Sequence, residues 1–207
     1  NVEPGVVLDD LNKALKDKFF PIVPDDSAVC TIGGMCAINS SGFYEKRFGR
    51  MKDYVLEVDM VDGNGRLRKY GNEAIGKEAL LGIIVKIQLK IIDKINEKSM
   101  DVFKFDKLTD VIEKVVDLKN NKEAIAIELI TKTAAKFAGL DNKHHLIVGY
   151  IGIEGSVKDN IEMRRIWDVR KNIFKSLASN DYFFIEDPYL PAENLLEFLY
   201  WLEKNGI

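Results

Sequence analysis

The sequence contains little cysteine and little histidine, with two residues of each type in 207. Cys30 and Cys36 are separated by five residues, which is not the spacing of a zinc hook, and no neighbouring pair completes four ligands. His144 and His145 are adjacent, so they cannot both face one ion from the same element. We therefore expect neither a metal site nor a disulfide framework. The two cysteines are interpreted as small buried thiols, and the two histidines are expected in a loop before a strand.

The sequence also lacks a long apolar segment and an excess of charge of one sign. No apolar run approaches the roughly 20 residues that a helix needs to cross a bilayer. Thirty lysines and arginines oppose 33 aspartates and glutamates, and the net charge of −3 disfavours a nucleic-acid-binding protein. The 46% hydrophobic and 30% charged content is typical of a globular chain with one large domain or two small ones.

Apolar periodicity and turn residues predict the elements of the first part of the chain. Leu8, Leu11 and Leu15 share one face of a helix predicted over 8–16. The tetrapeptide Asp62-Gly63-Asn64-Gly65 separates segments 55–61 and 66–70, and its glycines and asparagine accept positive φ, which predicts a hairpin. The other predicted elements are a strand or strand end at Val6–Val7, a loop over 19–26, a turn entering a short helix over 31–42, and a strand around 83–91.

The charged segment 93–99 is interpreted as a boundary between domains 1–93 and 94–207. After it, predicted strands at 100–104, 124–130, 145–153 and 182–186 alternate with predicted helices at 108–118, 132–138, 156–178 and 193–204. Helices that each carry one apolar stripe indicate an α+β layer sandwich, with the sheet on one side and the helices on the other. The chain starts at Asn1 without a methionine, and its last predicted helix runs almost to its end. We therefore expect a segment of a longer protein.

The segment TIGGMCAINSSG at 31–42 contains the first candidate binding residues. Gly33 and Gly34 have no Cβ, so their backbone can come within contact distance of a ligand. The N–H groups that follow, at a turn opening a helix, could donate to anionic or carbonyl oxygens. Asn39 and the serines after it add polar side chains. Taken alone, the same letters are explained equally well by an ordinary glycine turn.

Several segments resemble one protein family in order and spacing. In the first part they are V-E-P-G-V at 2–6, Pro24-Asp25, TIGGMCAINSSG at 31–42, Lys52-Asp53, Asp62-Gly63, and GKEALLGII at 76–84. In the second part they are IAIELI at 125–130, the strand 145–153 with Glu154-Gly155, W-x-x-R at 167–170, and Ile185-Glu186-Asp187 before Leu190-Pro191. This colinear set resembles the vanillyl-alcohol oxidase and p-cresol methylhydroxylase (PCMH) flavoproteins, and their glycolate oxidase and D-lactate dehydrogenase branch in particular.

The resemblance implies the fold and the cofactor. Residues 1–93 would be a partial second subdomain of a PCMH-type FAD-binding domain. Residues 94–207 would be a partial α+β substrate-cap domain with a mainly antiparallel sheet. Carried over position by position, the residues expected to contact FAD are Thr31, Gly33, Gly34, Asn39, Gly42 and Ile84. For Thr31 and Ile84 simple packing is the alternative, because small and apolar residues line pockets and cores alike.

Arg170 is the candidate for substrate binding. It shares a helix face with Trp167 and Phe174, and a guanidinium on an aromatic edge is well suited to a two-pronged grip on a carboxylate. In the family that this sequence resembles, the arginine of the matching Trp-x-x-Arg motif binds the substrate carboxylate. The alternative is a cation–π contact or an ion pair, for instance with Glu186 or Asp187. Those two adjacent carboxylates, like Asp25-Asp26, are interpreted as solvated loop charges rather than an acid/base pair.

The implied activity is oxidation of a 2-hydroxy acid, of the D-lactate or glycolate type, by hydride transfer to flavin. The family's upstream glycine-rich loop and downstream histidine-rich segment are absent from these 207 residues. No catalytic residue is therefore expected in this segment, and by itself it is expected to be inactive. The family's G-S-E-G-T-L-G loop is here GKEALLG, with Ala79 for a glycine and Leu80 for a threonine. The alternative is a non-catalytic subunit or remnant of the same fold that binds no flavin.

The expectations for partners and location combine the resemblance with the charge balance and the low cysteine content. The expected partners are a small 2-hydroxy acid and the remaining parts of the flavoprotein, and no nucleic acid is expected. A cytoplasmic location is expected. Peripheral association with the inner face of a membrane is left open by the family's respiratory members, and the sequence has no amphipathic anchor that would indicate it.

Overall fold

The computed structural model of the protein describes residues 1–95, 98–152, 155–178, 188 and 190–205. The chain divides into two compact units, residues 1–96 and 97–207. The strand predicted over 182–186, and the carboxylates of Glu186 and Asp187, lie outside the described residues. No helix in the described ranges combines the length and the apolar character that crossing a lipid bilayer requires.

The first unit is built on a small antiparallel sheet. Its described helices are α1 (Leu8–Ala14), α2 (Ile32–Ile38) and α3 (Glu45–Phe48). Its described strands are β1 (Lys18–Phe19), β2 (Val55–Val61), β3 (Leu67–Tyr70), β4 (Ile83–Leu89) and β5 (Ile92–Asp93). The sheet has the order β3-β2-β4, and β1 pairs with β5.

The hairpin between β2 and β3 is confirmed. The Asp62 carboxylate oxygen Oδ1 accepts from the N–H groups of Asn64 and Arg66, both at 2.9 Å, and Gly65 has φ of +73°. An aspartate that bonds the backbone ahead of it closes the turn, and glycine accepts the left-handed conformation without strain. The hydrogen bonds from these two N–H groups also lower the pKa of Asp62.

The core of the first unit holds α2 against the sheet. An isolated seven-residue helix is not stable in water, so its conformation depends on packing. Ile32, Met35 and Cys36 are buried and supply that packing. The strand predicted at Val6–Val7 is not formed: Val7 makes a single bridge to Thr31, which ties the N-terminal segment to the start of α2.

The second unit is built on the antiparallel sheet β6-β8-β7. Its described strands are β6 (Lys98–Phe105), β7 (Ala124–Ile130) and β8 (His144–Ile151). Its described helices are α4 (Leu108–Lys119), α5 (Lys132–Phe137), α6 (Asn160–Ala178) and α7 (Leu195–Asn205). With antiparallel pairing in every described sheet, the α+β class and the mainly antiparallel sheet are confirmed.

The prediction that helices cover only one side of this sheet is wrong. Leu146 and Val148 of β8 pack in one cluster with Val111 of α4. Ile147, between them in the strand, packs in another cluster with Met163 of α6, together with Ala135 of α5. Successive side chains of a strand point to opposite faces, so helices lie on both faces. The physical reason is the apolar run 146–151 in the central strand, which must be buried on both sides.

The helix predicted from Ser156 begins four residues later. Val157 exchanges two backbone hydrogen bonds of 2.9 Å with Met100 of β6, so the chain is still extended there. The Asp159 carboxylate then accepts from the N–H groups of Ile161 and Glu162 at 3.0 and 2.8 Å. This is the capping pattern of an aspartate just before a helix, and it fixes the start of α6 at Asn160.

The two histidines lie in β8 and not in a loop before it, so the loop prediction is wrong, whereas the strand predicted over 145–153 already included His145. Both are buried, because β8 is the central strand. His145 Nε2 is 2.6 Å from Asp141 Oδ1, and His144 Nδ1 accepts from the N–H of Lys132 at 3.3 Å. Burial lowers the pKa of His144. Among the described residues, no group of three potential ligands is placed to hold a metal ion.

Candidate cofactor site and the Arg170 ion pair

The start of α2 is fixed by hydrogen bonds within the chain. Thr31 precedes the helix, and its hydroxyl accepts from the N–H of Gly34 at 3.2 Å. The N–H of Ile32 donates to Val6 O at 2.9 Å, and that of Gly33 to Pro4 O at 2.8 Å. Each of these three N–H groups therefore already has an acceptor within the chain.

The glycines of this segment differ in what surrounds them. A Cβ on Gly33 would lie 2.6 Å from the Cβ of Pro4, and one on Gly42 would lie 2.3 Å from Val23 O. Close approach of the chain to itself therefore requires both glycines. Gly34 is exposed, and a Cβ there would meet only the Thr31 hydroxyl, at 3.1 Å. Of the three, only Gly34 offers an open backbone surface.

Asn39 ends α2 and connects it to two other segments. It adopts the left-handed conformation, with φ of 51° and ψ of 53°, which asparagine tolerates better than most residues. Its Oδ1 accepts from the N–H of Lys52 at 3.0 Å, in the turn Met51–Asp53. Its Cβ packs against Gly76, where an added Cβ would come within 2.9 Å. The side chain of Asn39 therefore has a structural role, whether or not it also touches a cofactor.

Backbone hydrogen bonds join the segments on which the family resemblance rests. The N–H of Gly76 donates to Cys36 O and that of Glu78 to Ala37 O, both at 2.9 Å. Met51 N–H donates to Ser40 O, also at 2.9 Å. The end of α2, the turn Met51–Asp53 and the loop 76–82 thus form one local structure, although they are far apart in sequence.

The loop 76–82 is held in conformations that favour glycine. Gly76 and Gly82 have φ of +76° and +143°, and a Cβ on Gly82 would lie 2.3 Å from Val61 O. Glu78 and Ala79 also have positive φ, 47° and 63°, which costs energy in a residue with a Cβ. Ala79 stands where the family pattern has glycine. Its backbone is left-handed, which glycine adopts freely and alanine adopts only with strain.

Exposed apolar side chains lie on this local structure. Ile38 at the end of α2 is 67% exposed, Leu80 in the loop is 87% exposed, and Ile83 at the start of β4 is 70% exposed. Ile84, the predicted contact residue, pairs with Met60 and packs partly into the core. Because ligand pockets are lined mainly by apolar groups, these exposed side chains are candidates for contact with a flat, largely apolar ligand. The N–H groups of Ile32, Gly33 and Gly34 at the start of α2 already donate within the chain, so they add no hydrogen bonds to such a contact.

Cys36 is not a candidate nucleophile. It is fully buried in the first unit, and burial raises its pKa to about 12. Cys30 is half-buried, and its pKa is raised by burial and by the nearby carboxylates of Asp26 and Asp9. Both thiols are therefore poor sources of thiolate, in agreement with their interpretation as small packing residues.

Arg170 lies on α6 and forms an ion pair with Glu128 of β7. Its Nε donates to Glu128 Oε2 at 2.8 Å, and both side chains are half-buried. Trp167, one turn earlier on α6, covers Gly149 of β8, where an added Cβ would lie 3.8 Å from the indole. The side chain of Phe174 lies outside the described residues, as do the two carboxylates expected as ion-pair partners.

Sequence reasoning missed Glu128 as the partner of Arg170. A signal was present, because Glu128 is the one charged residue in the strand sequence AIAIELI. A charge in such a strand needs a partner when it is buried. The identity of that partner depends on which helix crosses β7, and that is set by contacts more than 40 residues apart in sequence.

Comparison with known proteins shows which proteins the chain resembles. Residues 1–71 match the FAD binding domain family. The chain is 27% identical to the mitochondrial cytochrome-type D-lactate dehydrogenase of Arabidopsis thaliana, over 93% of this chain and 36% of that protein. It is 26% identical to glycolate oxidase subunit GlcD of Bacillus subtilis, over 56% of this chain and 28% of that protein. The chain therefore spans about a third of the length of these relatives.

Solved structures agree with the class. The chain superposes on alkyldihydroxyacetonephosphate synthase with a TM-score of 0.63, over 86% of this chain and 39% of that one, at 16% identity. At that identity the match shows the fold. The fold and the matched domain are those of PCMH-type flavoproteins. The chain is thus similar to FAD-linked oxidases and dehydrogenases, with D-lactate dehydrogenases and a glycolate oxidase subunit among its relatives.

Proposed function

We propose that this chain is the central part of an FAD-dependent oxidoreductase that oxidises a 2-hydroxy acid of the D-lactate or glycolate type. The observation that carries the proposal is the local structure around Asn39. There α2 and the loop 76–82 are joined by two backbone hydrogen bonds and carry exposed apolar side chains. The match of residues 1–71 to an FAD binding domain and the similarity to D-lactate dehydrogenase and glycolate oxidase support the cofactor and the reaction class.

Within this proposal, residues of the first unit hold the cofactor. The exposed face of Gly34 and the apolar side chains of Ile38, Leu80 and Ile83 would contact the flavin, with Thr31 and Ile84 behind them. When bound, FAD supplies the hydride acceptor, which no amino-acid side chain provides. Three other predicted residues would shape the site without touching the cofactor through their side chains. Gly33 and Gly42 allow close approach to Pro4 and Val23, and Asn39 accepts from the N–H of Lys52.

The proposed role of the second unit is to bind the substrate. Arg170 would grip its carboxylate, because a guanidinium offers N–H groups in a planar fork that matches two carboxylate oxygens. The group that takes the hydroxyl proton is assigned to no residue of this chain. We therefore expect these 207 residues to turn over no hydroxy acid by themselves, and the longer polypeptide implied by the proposal to do so.

A titration with FAD tests the cofactor site. Flavin fluorescence would be followed as the protein is added, with Leu80→Asp as the test variant and Leu56→Asp as its matched control. Leu56 is also an exposed leucine, at the end of β2 remote from Ile83. Losing the burial of one leucine side chain corresponds to about 1.5–3 kcal/mol, so the dissociation constant should rise roughly tenfold to a hundredfold for Leu80→Asp alone. Equal affinities for both variants would contradict the proposed site.

A second candidate function is a non-catalytic subunit of the same fold that binds no flavin. Two observations favour it: the amide donors at the start of α2 have acceptors within the chain, and the flavin-side loop carries a strained Ala79 in place of glycine. The longer polypeptide distinguishes the two. A flavin absorption band that D-lactate or glycolate bleaches supports the oxidoreductase, and a colourless protein that takes up no FAD supports the subunit.

A further inference from the structure

The position of Glu128 in the sheet places it on the face that α6 covers. Its cross-strand partner in β8 is Ile147, and directly paired residues of an antiparallel sheet share a face. Ile147 packs in the cluster that contains Met163 and Trp167 of α6. Glu128 therefore extends from a strand toward the same helix that carries Arg170.

A carboxylate in these surroundings requires a partner. It is half-buried, and removing a charge from water is costly unless the charge is paired and hydrogen-bonded. Arg170 supplies the pairing through Nε, at 2.8 Å. Because the five N–H groups of a guanidinium are coplanar, a bond at Nε to a fixed strand residue restricts the direction of the whole plane.

We propose that Glu128 is a positioning residue, which orients the guanidinium of Arg170 so that its terminal Nη groups receive the substrate carboxylate. This inference rests on the proposed function, because it presupposes that Arg170 binds a 2-hydroxy acid. Glu128 itself touches neither substrate nor cofactor. It acts through Arg170, from a β-strand, which is a more rigid support than a loop.

The test uses the holoenzyme, the longer polypeptide with FAD, and compares Glu128→Ala with Glu128→Gln. The substrate carboxylate is bonded to the carbon that loses the hydride, so loosening the grip on it should weaken binding and also misalign that carbon, which raises KM and lowers kcat. We expect KM for D-lactate or glycolate to rise roughly tenfold or more in Glu128→Ala. Glu128→Gln should recover most of the affinity, because the amide oxygen still accepts from Nε.

Two further variants separate positioning from folding. Glu113→Ala removes an exposed carboxylate from α4, on the opposite face of the sheet, and should leave KM unchanged. The exchange Glu128→Arg with Arg170→Glu keeps the ion pair but reverses it. It should retain a folded second unit, measured by tryptophan fluorescence, and lose binding of the hydroxy acid.

The outcomes distinguish this inference from the proposed function. Turnover with the same KM in Glu128→Ala as in the wild type would overturn the positioning role and leave the proposed function intact. A holoenzyme that oxidises no 2-hydroxy acid would overturn the proposed function, and the positioning role with it. In that case ¹⁵N spectra of this chain would still test the ion pair. Loss of the Nε–H resonance of Arg170 in Glu128→Ala would show that the pair is present and has a structural role only.

Discussion

Replacement of Gly33 by alanine tests whether this glycine is required by packing in the absence of any cofactor. The new Cβ would lie 2.6 Å from the Pro4 Cβ and 3.0 Å from Pro4 O, so the N-terminal segment must move. Overpacking of this kind costs about 1–3 kcal/mol, and weakening the 2.8 Å hydrogen bond to Pro4 O adds about 1 kcal/mol. The better helix propensity of alanine returns about 1 kcal/mol. We expect a net loss of about 2 kcal/mol in the stability of the first unit.

The assay must report on the first unit alone. Both tryptophans, Trp167 and Trp201, lie in the second unit, so tryptophan fluorescence is the wrong probe. Cys36 is fully buried in the first unit, and its labelling by a thiol reagent in a Cys30→Ser background measures opening of that unit. A loss of about 2 kcal/mol corresponds to labelling that is roughly thirtyfold faster.

Gly34→Ala is the matched control. Its Cβ would meet only the Thr31 hydroxyl, at 3.1 Å, so a weakened cap of up to about 1 kcal/mol is offset by a similar gain in helix propensity. Labelling of Cys36 should stay within about fivefold of the wild-type rate, which corresponds to about 1 kcal/mol. Equal labelling rates for the two alanine variants would refute the reasoning, because the contact with Pro4 would then carry no cost.

Three further predictions concern other residues. Ala79→Gly should stabilise the first unit by about 1 kcal/mol and slow Cys36 labelling, since glycine removes the strain at φ of 63°; unchanged labelling would contradict it. The hydrogen bond from Lys104 lowers the pKa of Asp141 below its ordinary value of 3.8, so its stabilisation is present above that pH and is lost as the pH falls through the lowered pKa. Asp141→Asn should therefore be less destabilised by acid than the wild type, followed by tryptophan fluorescence, and identical acid transitions would refute this. Because burial raises the pKa of Cys36 to about 12, its labelling at pH 8 should require opening of the unit and rise steeply in urea, and labelling that is insensitive to urea would contradict that burial.

Local patterns were sufficient for most elements of the fold. The strand predicted over 124–130 has those bounds in the structure, and the hairpin at Asp62–Gly65 forms as its turn residues predict. These features depend on residues close in sequence: alternation along one strand, or a side chain that bonds the next few backbone groups. The start of α6 was misplaced because Val157 satisfies the same apolar pattern as a helix residue, while its backbone pairs with Met100.

The candidate site could be predicted in part. The segments 31–42 and 76–84 were selected from the sequence, and the structure joins them through Cys36 and Ala37. The hydrogen bonds that the N–H groups at the start of α2 donate to Pro4 O and Val6 O could not be predicted, because only the tertiary fold brings these carbonyl groups to α2. For the same reason the glycine letters could not show that Gly33 faces the chain itself and Gly34 faces solvent.

The sequence by itself indicated the resemblance to FAD-linked proteins, most of the element order and the candidate residues to test, because these are carried by motifs and periodicity along the chain. Only the tertiary structure decided that helices cover both faces of the second sheet, and that Arg170 pairs with Glu128. Both depend on which surfaces far apart in sequence must be buried together. The residue that pairs with a half-buried charge is therefore determined by the tertiary fold and not by the neighbouring residues in the sequence.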